Sequence, residues 1–213
     1  MKVTLMAYTH SDTLSPADVA GEAAAICTNY PDREKALRGA LNAGHESVIE
    51  HASFTFLIED VSRVLLAQMT RHRIASFSVQ SQRYCGVNLD MVIPPSMYDE
   101  YLLPKILAVR NAVEDLYRTA KHRGKPDEDI RYFTLQGGMT KKIVTMNARE
   151  LHHFFALRCC NRAQWEIREL ADKMLEECKR VAPELFEKAG CACMIGKPCP
   201  EGKRSCGKPR VAV

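Results

Sequence analysis

The 213-residue sequence has no G-x-G-x-x-G fingerprint following a candidate strand and no Walker-type loop, so the two common glycine cradles for nucleotide phosphates are missing. Nor does it contain an apolar run of the roughly 20 residues that cross a bilayer. Its opening stretch, MKVTLMAYTHSD, lacks the long apolar segment of a signal peptide, and together these absences predict a cytoplasmic protein without a membrane partner. An excess of one charge is also lacking. Thirty Lys+Arg against 26 Asp+Glu leave a net +4 spread along the chain, too little for a nucleic-acid surface but compatible with a small anionic ligand. The segment HESVIEH holds His45 and His51 six residues apart, a spacing that cannot place both on one helix face as HExxH requires, so a zinc hydrolase is excluded. Internal repeats and low-complexity segments are absent as well.

Cysteine is the residue present in excess. Five of the nine (Cys27, Cys85, Cys159, Cys160 and Cys178) are scattered through the body, where a reduced thiol is a small hydrophobe. Cys191, Cys193, Cys199 and Cys206 crowd the C-terminal stretch with spacings C-x-C-x5-C-x6-C, which match no standard zinc module. We therefore expect a domain over 1–190 and a Cys-rich tail over 191–213, loose or packed on a partner, with a metal site on these four cysteines as the alternative, and assign no metal ligand.

The class is α+β. KVTLMAYT alternates like a strand, and Ser15-Pro16 opens a helix with an N-cap and Pro at the first position. A second helix starts at Asp32 and stops at Gly44. Ser53 to Ile58 is rich in β-branched and aromatic residues, hence a strand, after which Asp60 is expected to cap a helix over VSRVLLAQMTRHR with Val61, Val64, Leu65 and Met69 on its buried stripe. Further helices are expected over about 99–122, from Pro126 with Arg131 aboard, from the N-cap Asn147 through ARELHHFFALR, and over about 163–181 with the lone Trp165 in the core; a strand falls near KKIVTM.

Two clusters stand out. In RHRIASFSVQSQRY, residues 71–84, cations and hydroxyls meet at a helix end and the extended segment after it, where alternation sends Ser81 and Arg83 to one side. Arginine offers a planar fork suited to phosphate, although a solvated basic helix terminus explains the cluster equally well on spacing alone. In NARELHHFFALR, residues 147–158, Arg149, His153 and Arg158 share a helix side, again with a plain alternative, an amphipathic helix with its cations in water.

Together these segments resemble the flavin-dependent thymidylate synthases. Arg71-His72-Arg73, seven residues and then Ser81 is similar to that family's RHR-x7-S signature; GHESVIEHASFTF at 44–56 resembles its GHxSxxEHxxFTF segment; and 147–158 resembles NARELxHFxxLR, with Gln164-Trp165-Glu166-Ile167 following. The resemblance runs from about residue 24 to 187. It implies helices packed on a mixed, non-Rossmann sheet and a homotetramer whose active sites lie between subunits. It further implies methylation of dUMP to dTMP, with methylenetetrahydrofolate as carbon donor and NADPH as reductant through bound FAD. By matching position, the resemblance places FAD against His45, Ser47, Glu50, Arg71, His72, Arg73, Val79, Asn147, Ala148, Arg149 and His153. It places dUMP against Gln68, Met69, Thr70, Arg71, Val79, Gln80, Ser81, Gln82, Arg83, Arg131 and Arg158. Arg83 and Arg131 then clamp phosphate, Arg158 is the catalytic residue that stabilises charge on the uracil ring, and Ser81, with no evident base beside it, binds rather than attacks.

The chain departs from the family pattern at Ser78, at Val79, where contact falls to the backbone or to Gln80, and over Leu135-Gln136-Gly137-Gly138. Two rivals differ in class. A folate- and FAD-dependent RNA methyltransferase is expected to show a dinucleotide fingerprint and a basic tract, and this chain has neither. A nucleotide- or flavin-binding sensor has no evident use for Arg158 beside both phosphate arginines.

Overall fold

The computed structural model describes residues 1–211. Four strands, β1 (Lys2–Tyr8), β2 (Ser53–Ser62), β3 (Ala75–Val79) and β4 (Met139–Asn147), form one sheet in the order β1-β2-β4-β3. Thr9 N–H, just past β1, donates to Ser53 O at the start of β2 (2.9 Å), and Ala148 N–H, just past β4, donates to Ala52 O just before β2 (2.7 Å). Gln80 N–H, just past β3, donates to Lys141 O early in β4 (3.0 Å). The beginning of each strand thus lies beside the end of its neighbour. The sheet is antiparallel, not mixed: a parallel pair would need a crossover returning the chain to the same end.

The chain makes two compact units. One gathers Met1–Lys2, Ile58–Thr70 and Ser78–Lys142; the other gathers Val3–Leu57, Arg71–Phe77 and the chain from Ile143 onward. The first unit contains α3 (Arg63–Met69), α4 (Leu102–His122) and α5 (Asp127–Ile130), with Ile58, Val61, Leu65, Met69 and Ile130 buried. The second contains α1 (Pro16–Thr28), α2 (Arg33–Asn42), α6 (Ala148–Arg158), α7 (Trp165–Val181) and α8 (Pro183–Phe186).

Local chemistry explains most boundaries. Ser15 and Asp18 form a reciprocal capping box on α1, with Pro16 in the first turn. Asp32 accepts from Lys35 N–H to start α2, and Asn147 accepts from Glu150 N–H to start α6. Where α1 meets the start of α2, Gly21 allows the close approach, since an added Cβ would stand 2.9 Å from Arg33 O. One boundary differs from the sequence reading. β2 runs four residues past Ile58, with Asp60 at φ 56°, and it is Ser62 that caps α3 by accepting from Leu65 N–H (3.0 Å). Val61 is therefore buried as part of a strand, Val64 faces solvent, and α3 ends at Met69.

In the second unit, β2 points Phe54 and Phe56 inward, and Phe54 meets Phe186 edge-on at 5.2 Å. Ile167, Leu170, Met174 and Cys178 line the buried face of α7, while Trp165 is only half-buried. The tail is not loose. Arg210 forks Asp172 of α7 (2.9 and 2.8 Å) and donates to Cys159 O (2.6 Å), Arg162 donates to Arg204 O (2.7 Å), and Cys191 is buried with its Sγ 3.5 Å from Cys193 Sγ. A bidentate arginine–carboxylate pair at the chain's end supplies the anchor that composition alone did not reveal.

Candidate functional site

In the first unit, the end of α3, the segment after β3 and the turn after α5 face a cleft of about 550 Å³. Thr70, Val79, Gln80, Ser81, Gln82 and Arg131 line it, together with Arg63 and Gln136. Met69, though in the same stretch, buries its side chain in the core, so only its main chain is available to a ligand. Gln68 precedes it on α3 and is half-buried. Arg83 and Arg131 do not lie on α5 itself but are joined through it: Glu128 Oε2 takes Arg83 Nε at 2.5 Å, and Glu128 O accepts from Arg131 Nε at 3.2 Å. Ser81 Oγ accepts from the main-chain N–H groups of Arg83 (3.0 Å) and Tyr84 (3.3 Å). Both acceptor positions are thus spent on the turn, and the hydroxyl proton remains to be donated.

Arg63 is a residue that sequence reasoning missed. It lies eight positions before Arg71, outside the RHR motif, and its presence on the cleft follows from α3 starting at Ser62. Burial, and then the neighbouring Arg131 charge, hold its guanidinium below the ordinary arginine range. Two cations that repel each other across a small cleft are suited to a doubly charged anion.

The second unit holds the other residues. His45 and Ser47 lie beside a second cleft of about 550 Å³, lined also by Tyr30, Lys35, Val48 and small residues of α1 and α2. Glu50, on the same 3-10 turn (Glu46–His51), pairs with Arg149 of α6 at 2.5 Å. Arg71 and Arg73 are exposed, and His72 between them is buried. The buried ring stands 5.5 Å from the His153 ring and 5.0 Å edge-on to Phe154. His72 Nδ1 lies 2.8 Å from Glu150 Oε1, and Arg158 Nε donates to His72 Nε2 at 3.2 Å. Ala148 is fully buried and Asn147 is occupied as the cap of α6.

A guanidinium N–H donates only, so His72 Nε2 is the lone-pair nitrogen; the ring proton sits on Nδ1 and is donated to Glu150. The imidazole is neutral, and neither nitrogen has a lone pair left for a cation, although His72, Glu150 and His153 are close enough to form a ligand triad. Burial pushes the His72 pKa below the ordinary histidine value, with Glu150 opposing and Arg158 and His153 reinforcing the shift. His152 is lowered in the same way, chiefly by burial, while its Nε2–H donates to Leu185 O at 2.8 Å.

These shifts carry a pH dependence. The unfolded chain takes up protons at these two histidines near pH 6.5 while the folded chain resists until lower pH, so stability is fully present above about pH 6.5 and is lost progressively as pH falls from there through the depressed folded values. Thermal unfolding between pH 8 and 5 is expected to show a Tm that drops below about pH 6.5; a Tm unchanged down to pH 5 would contradict the buried neutral histidines.

Glu150 is the second residue missed. Its signal was present: Glu150, Phe154 and Arg158 recur every four residues on one helix stripe, and all three touch His72.

Residues 4–184 match the family model described as thymidylate synthase complementing protein. A flavin-dependent thymidylate synthase of Geobacter sulfurreducens is 51% identical over 172 residues, 79% of this chain and 74% of the relative. One of Clostridium tetani is 41% identical over 98% of this chain and 94% of its own. Among solved structures, a flavin dependent thymidylate synthase from Helicobacter pylori, complexed with FAD and dUMP, aligns with a TM-score of 0.70 at 27% identity, covering 89% of this chain and all of that one.

Proposed function

Since the chain belongs to the flavin-dependent thymidylate synthase family, we propose that it converts dUMP to dTMP, taking its carbon from methylenetetrahydrofolate and its reducing equivalents from NADPH through FAD. The observation that carries this reading is the first unit's cleft, where Arg63 and Arg131 flank the Val79–Gln82 segment at the size of a nucleotide.

Arg131, Arg63 and Arg83 take the dUMP phosphate; a planar fork binds it in two places, and three cations compensate its double charge. Ser81 donates its remaining hydrogen bond, with Gln68, Thr70, Gln80 and Gln82 and the main chain of Met69 and Val79 around the nucleotide. Neither hydrogen-bond partner of Ser81 Oγ is a base, which argues against a nucleophile. To Arg71 and Arg158 we assign the base, Arg158 as the charge donor for the uracil ring where negative charge develops.

The donor set of the second unit fits FAD. Arg71, Arg73 and Arg149 supply cations for a pyrophosphate, His45 and His153 supply rings, Asn147, whose amide oxygen caps α6, keeps its amide nitrogen as a donor, and the cleft beside His45 and Ser47 adds Tyr30 and Lys35. When bound, FAD supplies the reducing equivalents that turn the transferred carbon into a methyl group. The protein's residues bind, orient and neutralise; none forms a bond to substrate.

We place the reaction in the cytoplasm and in a homotetramer whose sites draw residues from more than one copy. Among the described residues, no helix is long and apolar enough to cross a membrane. Helix α4 supports assembly: none of its residues is buried, and Leu107 and Val109 are 42% and 54% exposed, apolar surface that a monomer leaves in water.

Ser81→Ala is the direct test of the binding role. It should raise the dUMP KM about 10-fold, the loss of one hydrogen bond to a charged or polar group, while turnover at saturating dUMP stays measurable. Complete loss of turnover would overturn the assignment and make Ser81 part of the chemistry.

A further inference from the structure

We propose that Glu150 is a positioning residue: acting through His72, it fixes the plane of the Arg158 guanidinium and so aims the donors that face the reacting base. The inference rests on the role given to Arg158 above, and Glu150 enters it from geometry alone.

Three residues of one helix stripe grip a single imidazole. Glu150 accepts the Nδ1 proton at 2.8 Å, Phe154 meets the ring edge-on at 5.0 Å with an interplanar angle of 75°, and Arg158 Nε donates to Nε2 at 3.2 Å. His72 is 4% exposed and Glu150 6%, so water does not compete for either hydrogen bond. The chain of donors runs one way, from Arg158 through the imidazole to the carboxylate. If the Nδ1 proton moved to Nε2, two N–H groups would confront each other and the Arg158 anchor would be lost. The carboxylate is what prevents this, because it accepts and never donates.

Anchoring at Nε matters for the guanidinium because its atoms are coplanar. Holding one nitrogen fixes the plane, and the plane fixes the directions of the two terminal NH2 groups. Preorganised donors stabilise developing charge without reorganising during the reaction, and that advantage disappears when the side chain must search for its orientation. Glu150 occupies the third helical position of α6, where a carboxylate commonly folds back to cap the helix; here Asn147 meets the Glu150 main-chain N–H, and the carboxylate turns inward to His72 instead. Burying a carboxylate against a neutral ring is poor value for stability, so the arrangement is better suited to orienting than to holding the fold.

The test combines spectroscopy with kinetics on the full-length holoenzyme. In protein labelled with ¹⁵N at histidine, the His72 signal, assigned by its loss in His72→Gln, should report the Nδ1–H tautomer alone. Glu150→Ala should give mixed tautomers and lower kcat about 10- to 100-fold, the usual cost of removing the outer partner of a functional imidazole, with little change in dUMP KM. Glu150→Gln, whose amide oxygen still accepts from Nδ1–H, should restore the tautomer and most of the turnover even where the alanine variant folds poorly. Adding Glu150→Ala to Arg158→Ala should cost nothing further.

A wild-type tautomer in Glu150→Ala, or losses that multiply in the double variant, would overturn the proposal. Scrambled tautomers with unchanged kcat would do so too, leaving Glu150 a structural partner of His72. Undiminished turnover in Arg158→Ala alone would instead remove the role of Arg158, and the proposal with it, whatever the tautomer.

Discussion

Arg158→Ala is expected to lower kcat by about 10²–10³-fold, with the dUMP KM changing far less, because one preorganised charge donor is worth about that much in a reacting site. The residue ends α6, where its Nε is held by His72, and burial followed by the charge of Arg71 keeps it below the ordinary arginine range. Arginine remains protonated even so, so the cost of bringing two cations together is borne by the fold and relieved when negative charge appears in front of them. Arg158→Lys should recover little: an ammonium has the charge but neither the plane nor the second donor nitrogen. Steady-state rates at saturating dUMP, with circular dichroism as the folding control, decide the matter. Turnover within about threefold of wild type would remove Arg158 from the chemistry.

Phe54→Ala should destabilise the second unit by about 3–5 kcal/mol, the range for removing a fully buried phenylalanine. Phe54 faces inward from β2 with no exposed surface, meets Phe186 of α8 edge-on at 5.2 Å and stacks with Tyr8 of β1 at 6.4 Å. Phe186 in turn touches Phe155 at 6.1 Å and stacks on His152 at 5.4 Å, both on α6, the helix that carries Arg149, His153 and Arg158. The cavity would therefore loosen the helix on which Arg149, His153 and Arg158 stand, and Tm should fall by roughly 6–20 °C for a chain of this size. A Tm within about 2 °C of wild type would mean that the aromatic cluster is not what seats α6.

Where a boundary depends on a single side chain meeting its own backbone, the sequence was readable. Ser15-Pro16, Asp32 and Asn147 each cap the helix assigned to them. Alternation likewise locates β1, and the density of β-branched and aromatic residues the first half of β2. The boundary is ambiguous where two periodicities overlap: Asp60 and Ser62 are both competent caps, and only pairing with a neighbouring strand extends β2 to the later one. Strand direction was illegible for the same reason, since antiparallel pairing is a property of residues far apart in the chain, such as Thr55 and Thr145, whose hydroxyls meet at 2.9 Å. Arg210 gave no signal because its partner, Asp172, lies on another element.

The site divides similarly. Arg71 to Arg73 and Val79 to Ser81 are nominated by contiguous motifs, whereas Arg63 lies outside any motif and Glu150, though inside the 147–158 segment, is not singled out by it; both stand out only through what folding brings beside them. The stripe Glu150, Phe154, Arg158 was visible at helical spacing, but its meaning depends on His72, 78 residues away from Glu150 in the chain.

The most direct test of the central claim is the visible spectrum of the purified protein, reconstituted with FAD and followed without oxygen as NADPH, dUMP and methylenetetrahydrofolate are added in turn, with dTMP assayed at the end. The proposed function predicts a flavin band that bleaches with NADPH, recovers only when both substrates are present, and leaves dTMP in stoichiometric yield. A protein that takes up no FAD and forms no dTMP would contradict it, and would leave the arginine clusters as binding sites without chemistry.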